Sequence, residues 1–202
     1  MTTRAVVRLG AAFGLGYLAG TFPSADLATR LAARGTDLRA EGSGNPGALN
    51  AAAVLGRRWG LAVLAADMAK GTIAGLVGRA VAGDAGAYAA ATGSIAGHIA
   101  PVWNGFQGGK GVATSAGACL AVFPVYFPID AAVAATSAAA SQQAERSIQM
   151  SCAVWTTAAV VWWRRGLPNA WGPETGPGLP LFAAASSAMI LAKFRSTRRT
   201  SA

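Results

Sequence analysis

The sequence predicts an all-α fold, a polytopic bundle of membrane helices, on three observations. Of 202 residues, 53% are hydrophobic and only 12% are charged, about half the charge of a soluble domain. Twenty-six glycines and many alanines suit helices whose backbones approach closely inside a bilayer. The apolar runs also reach the roughly 17–20 residues that a membrane crossing needs. A soluble, alanine-rich helical domain is the competing reading, and the run lengths argue against it.

The first run extends from about Ala5 to Phe22. Its start, "MTTRAVVRLGAAFGLGYLAG", has the look of a signal peptide, but the apolar runs that follow favour a retained first span. A polar stretch from Ser24 to Asn50 comes next, and residues 51–58 are too short to cross. Spans are expected over 59–83 and 86–103, followed by "WNGFQGGKG", which is not a spanning sequence. Residues 111–144 are too long for one straight span. Pro124, Pro128 and Asp130 interrupt them, and because proline ends or kinks helices two short spans with a turn near Pro128 are expected. Spans over 147–163 and 179–194 bring the set to seven, and the Pro/Gly-rich stretch 166–180 reads as a structural loop. No repeat or linker divides the chain, so residues 1–202 are read as one domain.

The net charge is +9. The basic residues punctuate apolar runs, and no basic–aromatic interleaving suggests a nucleic-acid groove, so no nucleic-acid partner is expected. One face would carry Arg30, Arg34, Arg39, Arg57, Arg58, Lys110, Arg146, Lys193, Arg195, Arg198 and Arg199. The other would carry Arg4, Arg8, Arg79, Arg164 and Arg165. The positive-inside rule puts the richer face in the cytoplasm. Cys119 and Cys152 lie in apolar runs outside any CxxC or Cys/His cluster, so neither a metal nor a disulfide framework is predicted.

Two glycine-rich stretches stand out, "EGSGNPGALN" at 41–50 and "GFQGGKGVAT" at 105–114. Two complete spans lie between them, and an even number of crossings returns the chain to the same face. They are therefore read as two halves of one site. In the second stretch Gly108, Gly109 and Gly111 surround Lys110. Glycine admits positive φ and close approach, successive N–H groups form an anion-binding concavity, and a helix starting at Val112 would add its positive end. Phosphate is the natural ligand. A nucleotide P-loop is excluded, because Asn104 stands where its first glycine belongs and Gly111 where Ser or Thr should follow the lysine. Alone, the stretch reads equally well as a flexible turn with a lipid-facing lysine.

In the first stretch, Gly42, Gly44 and Gly47 free a backbone on which Ser43, Asn45 and Asn50 offer hydroxyl and amide groups. Arg39 can present a planar fork to a phosphate. Taken alone, this stretch too reads as a hydrophilic connector. Between the two lies "DMAKG", where Asp67 and Lys70 share a helix face at i and i+3 and can pair. Ionisable groups inside a span are rare and usually functional, although a structural ion pair explains these two at least as well. His98, the only histidine, reads either as a structural hydrogen-bonder or as a functional group.

"DLRAEGSGNPGALN" and "GHIAPVWNGFQGGKGVAT" resemble the first two motifs of the bacterial acyl-phosphate:glycerol-3-phosphate acyltransferases, small integral membrane enzymes of phospholipid synthesis. "YLAGTFPSADL" at 17–27 and "DMAKG" resemble the flanking pattern, so the similarity covers about residues 14–120. The resemblance implies a seven-helix membrane fold with a site facing the cytoplasm, in the inner (plasma) membrane. It implies transfer of a fatty acyl group from acyl phosphate to the 1-hydroxyl of glycerol 3-phosphate, giving lysophosphatidic acid and phosphate. By matching position, Ser43 and Lys110 would be essential. His98 joins them as a candidate catalytic residue. Arg39, Gly42, Gly44, Asn45, Gly47, Asn50, Gly108, Gly109, Gly111 and Thr114 would bind substrate, with Asp67 and Lys70 in support. No cofactor or metal is expected, and a monomer is.

Three departures stand out. Leu49 occupies the position of the family's threonine in "GATN", and Ala53 that of an arginine. The C-terminal "LAKFRSTRRTSA" has neither the "HRxN" nor the later glutamate of a third motif. Arg57 and Arg58, a turn beyond Ala53, are candidate replacements. No Ser-His-Asp constellation is evident, so direct transfer is expected, with a phosphate oxygen or His98 accepting the proton. The alternative is a non-catalytic membrane protein that binds or moves a phosphorylated small molecule.

Overall fold

The computed structural model describes residues 2–32, 35–140 and 144–199. Arg34, counted above toward orientation, lies outside the described residues, as does part of the join between the fifth and sixth expected spans. Among the described residues every regular element is a helix. They are α1 (Thr3–Gly20), α2 (Ser24–Ala32), α3 (Ala48–Leu55), α4 (Arg57–Ile99), α5 (Val112–Val122), α6 (Phe127–Ala140), α7 (Ala144–Arg165) and α8 (Gly178–Arg199), with 3₁₀ turns at Val102–Asn104 and Pro124–Tyr126. All seven expected spans coincide with helical segments. The stretches Thr3–Ala32 and Arg57–Asn104 are long and apolar enough to cross a membrane by length and composition.

The fourth helix is in fact two. Ala82 leaves helical geometry, and Gly83 takes φ 66°, ψ −158°, a combination essentially reserved for glycine. The chain folds into a hairpin, and Gly78 and Gly86 meet across it with no room for a side chain. Its two limbs coincide with the two spans expected between the glycine stretches. The turn separates these limbs, 57–81 and 84–99, so each packs on a different neighbour.

The second limb packs on α1 through glycines from both sides. Gly16 and Gly20 lie against the backbones of Ala90 and Ser94, and Gly93 and Gly97 lie against those of Phe13 and Tyr17. A Cβ at any of the four would meet a backbone carbonyl. Such small-residue seams bring helices into close van der Waals contact where no hydrophobic effect drives association. The Tyr17 hydroxyl then donates to the Ala100 carbonyl at 2.8 Å.

The other half of the bundle has an aromatic core. Phe123, Tyr126 and Trp155 lie with ring centroids 5.1–5.5 Å apart, and Phe182 reaches Trp155 at 6.0 Å. Phe123 and Tyr126 stack while the other pairs are tilted or edge-on, arrangements that suit the ring quadrupole. The predicted turn falls slightly earlier than Pro128. Phe123 (φ −145°, ψ 56°) ends α5, and Pro124 opens the 3₁₀ turn. Pro128 sits in the first turn of α6, where a missing N–H costs nothing.

The bundle has two distinct ends. At one, Arg8 donates to the Val81 carbonyl, Arg79 pairs with Asp84 at 3.0 Å and donates to the Trp171 carbonyl, and Asn169 donates to the Val122 carbonyl. The loop after α7 is thus a structural plug, as its composition suggests. The end of α1, the start of α5 and the end of α8 meet at the opposite end, together with both glycine stretches.

Candidate functional site

Asn50 shapes the first glycine stretch. It is only 4% exposed, and its Oδ1 accepts from the Ser43 N–H at 2.8 Å while its Nδ2 donates to the carbonyls of Leu38 and Glu41, each at 2.9 Å. The amide thus closes the loop around itself. Gly42 and Gly44 turn the chain at φ 59° and 68°. Asn50, expected to touch substrate, braces the loop from within. Ser43 is exposed at the loop tip and Asn45 is half-buried. Gly47 is the N-cap of α3, in extended conformation.

The second stretch follows the end of α4. The Gly108 and Gly109 N–H groups donate back to the carbonyls of Ile99 and His98, both at 3.1 Å. The first two N–H groups of the expected anion cradle thus cap the helix above them. The N–H groups left to face an anion are those of the first turn of α5, which have no intrahelical partners. Gly111 leads into that turn at φ 82°.

The two stretches are clasped together. Arg39 Nε donates to the Gln107 carbonyl at 3.0 Å, and its fork grips Asp26 at 2.6 and 3.3 Å. Asn104 donates at 2.6 Å to Asp26 Oδ2, the oxygen that also takes the longer Arg39 bond. The Asp26 hydrogen bond holds the Arg39 guanidinium even more firmly protonated than a free arginine. The fork expected to grip phosphate is therefore occupied by a carboxylate of α2, and Arg39 fastens one loop to the other.

Beneath the clasp lies a buried polar cluster. Asp67 is 1% exposed, and Lys70 and His98 are each 7% exposed. Asp67 Oδ1 accepts from Lys70 Nζ at 2.8 Å and from the Ser24 hydroxyl at 2.5 Å, and lies 3.6 Å from His98 Nδ1. Lys70 Nζ is 3.5 Å from the same imidazole nitrogen. The i, i+3 pairing expected of "DMAKG" is present. Arg39, Lys70, His98, Gly108 and Gly109 line one small pocket with Ser24, Asp26, Pro46 and Asn104. Asp67 is sealed behind it. Thr114 is fully buried where Gly71 of α4 packs against it, and among the described residues its hydroxyl has no hydrogen-bond partner.

Gly109 rests directly on the His98 ring, and a Cβ there would run into Nε2. The glycine is required by close approach. Gly109→Ala is expected to lift the loop off the imidazole and lower activity at least tenfold, while the thermal midpoint in detergent moves by only a few degrees. Steady-state kinetics beside a melting curve check it, and unchanged turnover would contradict the packing argument.

Lys110 is half-buried and does not line that pocket; its Nζ lies 4.3 Å from the centre of the Phe194 ring. Phe194 belongs to α8. The region lacking the third motif therefore still reaches the site. Leu49 is 89% exposed, and Ala53 is exposed on α3. Arg57 and Arg58 lie beyond Gly56, whose φ of 97° breaks the helix. They are not one helical turn along from Ala53 and do not share its face. Sequence reasoning missed Ser24, Asp26, Asn104 and Phe194. The first two lie in "YLAGTFPSADL", a polar insertion directly after an apolar run, which was the available signal.

A family model described as "Glycerol-3-phosphate acyltransferase" matches residues 10–200. The glycerol-3-phosphate acyltransferase of Cereibacter sphaeroides is 42% identical over 151 residues, covering 73% of this chain and 68% of that protein. Those of Nitrobacter winogradskyi and Synechococcus elongatus are 46% and 44% identical, each match covering 55% of this chain and 57% of the relative. In those two comparisons the chain spans little more than half of the relative's length. The crystal structure of PlsY, an integral membrane glycerol 3-phosphate acyltransferase, is similar to the whole fold. In both its glycerol 3-phosphate and its lysophosphatidic acid forms the TM-score is 0.73 at 27% identity, over 96% of this chain and 90% of that one.

Proposed function

Because this chain belongs to the glycerol-3-phosphate acyltransferase family, we propose that it moves a fatty acyl group from acyl phosphate to the 1-hydroxyl of glycerol 3-phosphate. The observation that carries the reading is the clasp of Arg39 on Asp26 and Gln107, which makes one site of two glycine loops separated by two helices. Residues 1–202 act as one domain and as a monomer. The site opens to the cytoplasm, since the basic residues expected at its end of the bundle outnumber those at the other.

Acyl phosphate is already activated, and the protein's task is positioning, which alone can remove roughly 7–11 kcal/mol of barrier. Lys110 and the first-turn N–H groups of α5 hold a phosphate, and Ser43 and Asn45 at the tip of the first loop orient the acceptor. A cavity of about 70 Å³ is lined by Val112, two residues after Lys110, and by Ala116, Ile148, Trp155 and Ile190. It receives the first part of the acyl chain. The acceptor oxygen attacks the acyl carbon, the carbon–oxygen bond to phosphate breaks, and the hydroxyl proton leaves on the departing phosphate. His98 is held by Asp67 and Lys70 as the floor of the site.

The test is release of inorganic phosphate by the purified protein in detergent micelles. Release that requires both acyl phosphate and glycerol 3-phosphate supports transfer. Binding without release would support a non-catalytic carrier, a reading that the exposed Ala53 and Leu49 favour.

The site also implies a pH dependence. Burial pushes the Lys110 ammonium below the ordinary lysine range. A lowered lysine loses its proton earlier as pH rises, so anion binding is complete at neutral pH and fades on the alkaline side sooner than for a free lysine. KM for glycerol 3-phosphate is expected to climb there. Lys110→Arg, which stays charged, should move that rise to higher pH. Coincident pH profiles for the two proteins would refute the assignment.

A further inference from the structure

The cavity between α5, α6, α7 and α8 is a shaft that runs lengthwise down the bundle. On α5 it is lined by Val112, Ser115, Ala116 and Cys119, and on α7 by Ile148, Ser151, Cys152 and Trp155. Each set has the i, i+3, i+4, i+7 spacing of a single helix face, and each extends about 10 Å. The fifth helix starts at the site end and the seventh ends at the plug, so depth follows residue number. Val112 and Ile148, with Ile190 of α8, form an apolar mouth. Cys119, Trp155 and Ser186 lie deeper, together with Asp130 in the first turn of α6.

The deep end is closed by groups that satisfy one another. Trp155 Nε1 donates to the Ser186 hydroxyl at 3.2 Å, and that hydroxyl donates to the Ala183 carbonyl at 3.0 Å. The Trp155 ring rests on Phe123 and Tyr126 of the aromatic core. Asp130 differs. It is half-buried, and among the described residues it makes no hydrogen bond or ion pair. An ionisable group at membrane depth is costly and usually functional. Water can solvate the carboxyl as long as nothing apolar reaches it. A methylene packed against it would leave it without a partner.

We propose that Asp130 is a specificity-determining residue, which limits how far down the shaft an acyl chain extends and so favours donors whose chain ends above it. The inference rests on the acyl-transfer reading for the identity of the donor. The limit itself requires only that a chain enters at the mouth.

The test uses the full chain in detergent micelles and saturated acyl phosphates from octanoyl to octadecanoyl. At each length kcat/KM is compared between variant and wild type, a ratio that cancels the partition of the donor into micelles. Asp130→Leu is expected to raise that ratio for the longest donors over the shortest about tenfold, the scale of one buried polar group left unpaired. Asp130→Asn, which stays polar, should keep the wild-type profile. Ser151→Leu, which fills the shaft halfway down, should move the preference to shorter chains. A folded Asp130→Leu whose length profile parallels wild type would overturn the proposal. Should that variant not fold, Asp130→Ala decides by the same comparison. Melting with saturated alkyl phosphates, which cannot transfer their chain, separates the two readings, because a ligand of the folded state raises the midpoint. The rise should grow with chain length and then reverse in wild type, and grow throughout in Asp130→Leu. That pattern without phosphate release would sink acyl transfer and leave the length limit standing. Transfer with parallel length profiles would sink the length limit alone.

Discussion

Asp67→Asn is expected to destabilise the fold by about 3–5 kcal/mol, the usual cost of leaving one partner of a buried ion pair uncompensated. Asp67 is 1% exposed and Lys70 7%, and a single carboxylate oxygen takes both the Lys70 ammonium and the Ser24 hydroxyl. An amide can still accept from Ser24. It cannot offset the ammonium, and His98 loses the charge beside its Nδ1. For a chain of 202 residues the thermal midpoint should fall by on the order of 10 °C. The double variant Asp67→Asn/Lys70→Met should recover most of that loss, because removing both charges removes the penalty. Melting in detergent micelles checks both. A single variant within about 2 °C of wild type would mean that water reaches the cluster.

Lys110→Ala is expected to lower acyl transfer about 10²–10³-fold, the range seen when one positioned electrostatic partner of a reacting group is removed. Its effect on stability should be small. The contact with the Phe194 ring is worth only about 0.5–1 kcal/mol at a partly exposed site. The two magnitudes separate a role in chemistry from one in folding. Near-normal turnover with a lowered melting point would reverse the assignment.

Most of the fold was legible because hydropathy and proline punctuation act locally. The hairpin at Gly83, the break before α6 and the plug after α7 all fall close to where composition suggested. The pairing of Asp67 with Lys70 was legible from helix periodicity alone. The partners of Arg39 were not. A guanidinium three residues before a glycine loop suits phosphate and carboxylate equally, and only the return of α2 beside the loop decides for Asp26. The N–H groups of Gly108 and Gly109 were ambiguous for a related reason. Glycine-rich turns bind anions or cap helices with the same donors, and the choice depends on where the preceding helix ends. Phe194 lay beyond reach because no short-range signal ties the last helix to residue 110.

The fifth helix has only 11 residues, about 16 Å of rise against a hydrocarbon layer of about 30 Å. Its far end is met by the plug, where Asn169 reaches the Val122 carbonyl, and its near end begins two residues after Lys110. The stub cannot extend from one headgroup layer to the other. On the proposed function, the reaction centre would then be sunk like the floor of a well, several ångströms below the level of the lipid phosphates. On that proposal a water-soluble acceptor would descend to meet a donor arriving sideways from the oil, and the acyl carbonyl would never rise into bulk water, where its phosphate would be hydrolysed.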